Sequence, residues 1–138
     1  MKRLWLISIP LIVLLLFAAC SSGTTTSPTT TTTSGGTTAG QLSASGQAVF
    51  ASNCARCHGN NGQGGAGPAI IGSTQGLAKY NTAQGLLTYV SGNMPASAPG
   101  SLSSQQYLEV TAYLIVQNSF VSSGQALEVG GLVGITLK

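Results

Sequence analysis

Cys54-Ala55-Arg56-Cys57-His58 decides the reading of this chain. C-x-x-C-H is the spacing at which two thiols and one imidazole attach a haem covalently. Within one helical turn the two sulfurs can each reach a vinyl group of the porphyrin, and the adjacent His58 can swing beneath the ring to ligate iron. His58 is the only histidine of the chain, and the motif uses two of its three cysteines. A thioredoxin-like dithiol would need C-x-x-C beside a βαβ pattern, whereas the flanking sequence is Gly-rich and weakly helical. A structural zinc site would need four donors, and beyond Cys54, Cys57 and His58 only the carboxylates of Glu109 and Glu128 are at hand. Covalent haem attachment is the chemistry that uses the whole pentad.

The first twenty residues set the compartment. Lys2 and Arg3 form a short basic n-region, residues 4–17 an apolar stretch interrupted by Pro10, and Ala18-Ala19-Cys20 a small-residue cleavage site ending in cysteine. Residues 1–19 resemble a bacterial lipoprotein signal peptide, which implies lipidation at Cys20. Phe17 stands where such signals usually carry Leu, with Leu16 one place earlier. The alternatives are an uncleaved anchor, for which the apolar run is short, or an ordinary signal peptide cleaved near Ala19. Each of these readings places the rest of the chain on the extracytoplasmic face of the membrane, in the periplasm or at the cell surface, where bacterial c-type haem attachment occurs. With Cys20 diacylated and Cys54 and Cys57 carrying haem, no free thiol remains in an oxidising compartment, and two acyl chains suffice for a stable anchor.

The formal net charge of +3 includes Lys2 and Arg3; without them Arg56, Lys79 and Lys138 stand against Glu109 and Glu128, leaving +1. So small a charge gives no footing for nucleic-acid binding. Residues 21–40 are almost entirely Thr, Ser and Gly, with Pro28 and Ala39 as exceptions. Such a stretch cannot bury enough surface to offset its ordering entropy. Residues 20–41 are therefore expected as a lipid-anchored flexible linker with an r.m.s. span of about 25 Å.

Residues 42–138 make one domain, rich in Gly and poor in charges and large apolar side chains. A covalently bound macrocycle would supply the missing core. A helix is predicted over 45–57 with Ser43 or Ser45 as N-cap, followed by a Gly-rich loop over 60–68. A second is predicted over 82–91, where Leu86, Leu87 and Val90 form one stripe and Gly92 ends it. The strongest spans 104–118: Ser103 with Gln106 makes a capping box, and Tyr107, Val110, Leu114 and Leu108, Ala112, Ile115 recur at helical spacing. A short helix over 74–79 would be the fourth. The tail over 121–138 is open between an extended wrap, a strand and disorder.

Across residues 43–120 the chain resembles the class I monohaem c-type cytochromes. In that family the first helix carries a glycine eight residues, and an aromatic four residues, before the first haem cysteine; Gly46 and Phe50 hold those places. The family's last helix crosses this glycine and offers an aromatic, matched by Ala112-Tyr113-Leu114. A residue without a side chain lets two helix backbones approach closely, and neighbouring aromatics seal the contact. The resemblance implies an all-α, loop-rich class I cytochrome c fold, with three to four helices around one covalently bound haem c.

It also implies the remaining site residues. Gly67-Pro68-Ala69-Ile70 looks like the family's Gly-Pro-x-Leu segment, whose proline carbonyl accepts a hydrogen bond from the proximal histidine, so Pro68 would support His58. With Met1 removed, Met94 is the only methionine left, and it stands thirty-six residues beyond His58 in Gly92-Asn93-Met94-Pro95-Ala96-Ser97-Ala98-Pro99-Gly100. That loop resembles the distal Met-Pro loop of small bacterial cytochromes, often electron partners of periplasmic dehydrogenases. Met94 is thus expected as the distal iron ligand, with Lys79 or an open site as alternatives.

His and Met together leave no vacant coordination position, which favours single-electron carriage over peroxidase or sensor chemistry at an open iron face. Redox partner proteins would dock over a haem edge ringed by residues 62–66 and 93–100, through a small and largely uncharged interface. The competing reading is a fixed haem subunit of a larger oxidoreductase, with the 121–138 tail pairing onto its partner.

Overall fold

The computed structural model describes residues 36–72 and 74–138. The expected signal segment, Cys20 and most of the expected linker lie outside the described residues. Five α-helices follow: α1 (Ala39–Asn53), α2 (Ala55–His58), α3 (Thr74–Ala78), α4 (Ala83–Asn93) and α5 (Ser104–Gln117), then a 3-10 helix over Val129–Gly134. Among the described residues no strand forms, only two isolated bridges, and no helix is long and apolar enough to cross a membrane. The fold is all-α and loop-rich, as expected.

The first helix departs from its predicted limits at both ends. It begins at Ala39 rather than Ser45, because Thr38 and Gln41 form a capping box: the Gln41 amide donates to Thr38 Oγ1 at 3.2 Å and the Thr38 amide to Gln41 Oε1 at 2.8 Å. Neither Ser43, which is buried, nor Ser45 caps anything. The expected linker boundary at 41 moves back accordingly, since Ala39 is fully buried and the Ala39 and Gly40 amides donate to the Gln125 and Ser123 carbonyls, each at 2.8 Å. At its other end the helix stops at Asn53. Cys54 bends away at φ −116°, and one further turn resumes as α2, which together with α3 raises the helix count above the three or four predicted.

α1 and α5 form the main packing unit. A Cβ at Gly46 would collide with the Glu109 carbonyl oxygen, so only glycine permits this crossing. One turn on, the Phe50 and Tyr113 rings meet at 5.2 Å between centroids and 43° between planes. α5 starts with the predicted Ser103–Gln106 capping box, and the run from Tyr107 to Ile115 is buried apart from Glu109. α4 is capped by Thr82, whose Oγ1 accepts from the Gly85 amide at 3.1 Å, and buries Ala83, Leu86 and Val90.

The tail over 121–138 is a wrap. Its first part lies on the start of α1, where the Leu127 amide donates to the Thr37 carbonyl at 2.8 Å. Its last part lies on the start of α4: the Ala83 amide donates to the Ile135 carbonyl and the Leu137 amide to the Asn81 carbonyl, both at 2.9 Å. Val121, Leu127, Leu132, Ile135 and Leu137 are buried along it. At roughly 2 kcal/mol for each large side chain removed from water, this belt is a substantial part of the core.

Candidate haem site

The motif sits where α1 gives way to α2. The Cys54 amide closes α1 on the Phe50 carbonyl at 2.8 Å, and the Cys54 carbonyl accepts from the Cys57 and His58 amides at 3.1 and 2.9 Å. One tight turn therefore carries both thiols and the imidazole. The two cysteines form no disulfide, Cys54 being half-buried and Cys57 exposed. Before haem attachment, burial, and secondarily the neighbouring Cys57, pushes the Cys54 thiol up to about 11.

His58 is buried, with Nδ1 at 2.8 Å from the Pro68 carbonyl oxygen. A carbonyl can only accept, so Nδ1 carries the proton and Nε2 presents its lone pair. The segment bearing Pro68 is folded back onto the motif: the Gly64 amide donates to the His58 carbonyl at 2.8 Å and the Gly67 amide to the Cys57 carbonyl at 2.7 Å. A Cβ at Gly67 would stand 3.0 Å from His58 Cε1, so a glycine leaves the ring its place. The far end of this loop is held by Asn118, which accepts from the Gly72 amide at 3.1 Å and donates to the Ile70 carbonyl at 2.9 Å.

A cavity of about 570 Å³ opens beside the motif, lined by Cys54, Cys57 and His58 and by Met94 and residues 95–97. A smaller one of about 180 Å³ is lined by Leu77, Lys79, Tyr80 and Tyr89. His58, Pro68, Ile70, Val90, Met94 and Leu114 line both. His58 and Met94, remote in sequence, thus face one cleft. Met94 ends α4 with its amide on the Val90 carbonyl at 2.9 Å, and its own carbonyl accepts from the buried Tyr107 hydroxyl at 2.8 Å. Lys79 Nζ lies 5.1 Å and 5.9 Å from the Tyr80 and Tyr89 ring centroids, which are themselves 4.7 Å apart. Burial, and after it the adjacent Tyr89, raises the Tyr80 phenol above its ordinary range.

Two of these roles escaped sequence reasoning. Tyr107 counted there only as part of an apolar stripe, and Asn118 only as a helix end. The pairing of a side chain with a backbone group many residues away leaves no local pattern.

The cleft suits a haem. Its larger volume lies in the range of cofactor pockets, and its lining is mainly apolar. Its donors are two thiols, an imidazole with a free Nε2 and a thioether, the set by which iron porphyrins are held. Among the described residues no three His, Cys, Asp or Glu side chains converge as ligands for a bare metal ion. The family described as "Cytochrome C oxidase, cbb3-type, subunit III" matches residues 41–114. The chain belongs to this cytochrome c family. Its cofactor is covalently bound haem c with iron, and the class I cytochrome c resemblance carried by Gly46, Phe50 and the C-x-x-C-H motif is borne out.

Among solved structures the chain is similar to a chain of the sulfane dehydrogenase SoxCD from Paracoccus pantotrophus. The identity is 24% and the TM-score 0.58, over 72% of this cytochrome and 58% of that chain. It also matches cytochrome cL from the marine methylotrophic bacterium Methylophaga aminisulfidivorans MPT, with 22% identity and a TM-score of 0.41, over 54% of this cytochrome and 51% of that chain. The cytochrome thus spans between half and three-fifths of these two chains, and identity with the SoxCD chain at this level shows a shared fold. No curated protein matches the chain.

Proposed function

We propose that this cytochrome is a membrane-tethered, extracytoplasmic carrier of single electrons between redox partner proteins. The observation that carries the reading is that His58 and Met94 line the same cleft. Cys54 and Cys57 hold the haem through thioethers, His58 Nε2 and the Met94 sulfur ligate iron, and Pro68 fixes the tautomer of His58 and raises its basicity. The haem iron supplies the one-electron chemistry. The thioether of Met94 favours the reduced state and occupies the position that an exogenous ligand would need.

Lys79, Tyr80 and Tyr89 line the smaller cavity, which neither cysteine reaches. Their ammonium and phenols suit the haem's carboxylates. Residues 96–100 are all exposed and offer donor and acceptor a surface without charge. Cys20, lipidated after removal of residues 1–19, tethers the domain through the Thr-, Ser- and Gly-rich linker. A reduced-minus-oxidised spectrum of the membrane fraction tests this: haem c signal in membranes that moves to the soluble fraction, or is lost with unprocessed precursor, in Cys20→Ser. A correctly cleaved Cys20→Ser protein still held by membranes contradicts the tether.

A second reading, a fixed subunit of a larger oxidoreductase, is favoured by the matched family's own description as an oxidase subunit. A fixed subunit co-purifies with its complex at constant stoichiometry after detergent extraction, whereas a carrier comes away as a monomer.

A further inference from the structure

Asn118 is buried, 7% exposed, at the C-terminal end of α5, and every polar atom of its side chain is used. One amide hydrogen goes to the Leu114 carbonyl of its own helix at 2.8 Å, the other to the Ile70 carbonyl at 2.9 Å, and Oδ1 accepts from the Gly72 amide at 3.1 Å. The last two bonds straddle Ile71, so the side chain clamps a short piece of the 59–72 loop onto α5. That piece begins two residues after Pro68. The loop's other hydrogen bonds either run to the motif, through the Gly64 and Gly67 amides on the His58 and Cys57 carbonyls, or stay within it, through the Ile70 and Ile71 amides on the Gly62 carbonyl at 2.8 and 3.0 Å. Asn118 is the side chain whose hydrogen bonds tie the part of the loop beyond Pro68 to α5.

We infer that Asn118 is a positioning residue for the proximal ligand, setting the Pro68 carbonyl against His58 Nδ1 and so tuning the electron richness of the imidazole that faces iron. The inference rests on the proposed ligation by His58. A carbonyl held at 2.8 Å gives the ring imidazolate character and favours oxidised iron. Freed from Asn118, the 68–72 segment samples longer Nδ1–O distances, so the reduced state gains and the midpoint potential rises. A purely structural asparagine would lower stability without touching the His58 ring proton.

The test uses the haem-loaded protein, in the reduced state, with 15N-labelled histidine. Asn118→Leu keeps the side-chain bulk and removes all three hydrogen bonds; Asn118→Asp keeps an acceptor for Gly72 and removes the donors. Val121→Ala is the control, trimming a buried apolar side chain that makes none of these hydrogen bonds. Hydrogen exchange of His58 Nδ1–H and of the Gly72 amide should accelerate about tenfold or more in Asn118→Leu, less in Asn118→Asp and not in Val121→Ala, with a higher potential in the two Asn118 variants alone. Unchanged exchange at His58, or an equal acceleration in Val121→Ala, overturns the inference. If Asn118→Leu fails to accumulate with haem, Asn118→Asp decides by the same criteria. Absence of a protected His58 Nδ1–H in the wild type would overturn this inference alone, whereas a His58 ring without the resonance shifts of a haem-bound imidazole would defeat the ligation by His58, and this inference with it.

Discussion

The two walls of the haem cleft are built differently. On the His58 side, the 59–72 loop is tied to the motif by the Gly64 and Gly67 amides, to itself through the Gly62 carbonyl, and to α5 through Asn118. On the Met94 side, residues 95–101 are stitched only by the Ala98 amide on the Pro95 carbonyl at 2.8 Å and the Ser101 amide on the Ala98 carbonyl at 3.3 Å. The tie from there to α5 is the single Tyr107 hydroxyl, which serves Met94 and, at 3.4 Å, the Leu102 amide. The proximal wall is determined by many mutually supporting bonds; the distal wall hangs from one phenol. Damage to the first should therefore cost the cofactor, and damage to the second should change its chemistry while leaving it attached.

The largest effect is expected at the motif. Cys54→Ala, Cys57→Ala and His58→Ala should each sharply reduce haem-bearing protein, because the apo-domain lacks the macrocycle that completes its core. Haem staining and total protein in the extracytoplasmic fraction measure this, and normal amounts of folded, haem-free protein would contradict it. Gly67→Ala is the gentler blow to the same wall. The new methyl presses on the His58 ring, so about 1–3 kcal/mol of stability should go, together with a shift in potential. Denaturant unfolding of the holo-protein and redox titration check both. Tyr107→Phe should have the smallest effect, about 1 kcal/mol, since it deletes one hydroxyl. It should nonetheless speed cyanide binding to the oxidised protein while His58 Nδ1–H exchange stays as in the wild type. If Tyr107→Phe disturbs His58 as much as Gly67→Ala does, the two walls are not independent.

What could be read in advance follows the same division between local and remote causes. The C-x-x-C-H motif, the Ser103–Gln106 box and the apolar stripe of α5 are local patterns, and the structure has them where they were expected, whereas α4 buries Leu86 and Val90 but only half-buries Leu87 and runs past Gly92 to Asn93. Gly46 and Phe50 were legible because the helix crossing demands a missing side chain at one place and an aromatic at another. The start of α1 was missed, although Thr38 and Gln41 fit the capping-box pattern, because Thr38 ends a tract of Thr, Ser and Gly in which no large apolar residue precedes Leu42. What makes Ala39 worth burying is the tail, which reaches it from residues 123–127. The tail's own form was undecidable for the complementary reason: its partners are the Thr37 and Asn81 carbonyls and the Ala83 amide, and no periodicity within 121–138 encodes them. Tyr107 and Asn118 belong to the same class, since their hydroxyl and amide act on backbone groups 13 to 48 residues away.

Carbon monoxide binding to the reduced protein tests the central claim most directly. With Met94 on iron the wild type should bind carbon monoxide slowly or not at all, whereas Met94→Ala should bind it readily, with a lowered potential and the haem still attached through Cys54 and Cys57. If the wild type binds carbon monoxide as fast as Met94→Ala, Met94 is not a ligand, the iron face is open, and the protein is a sensor or peroxidase rather than an electron carrier.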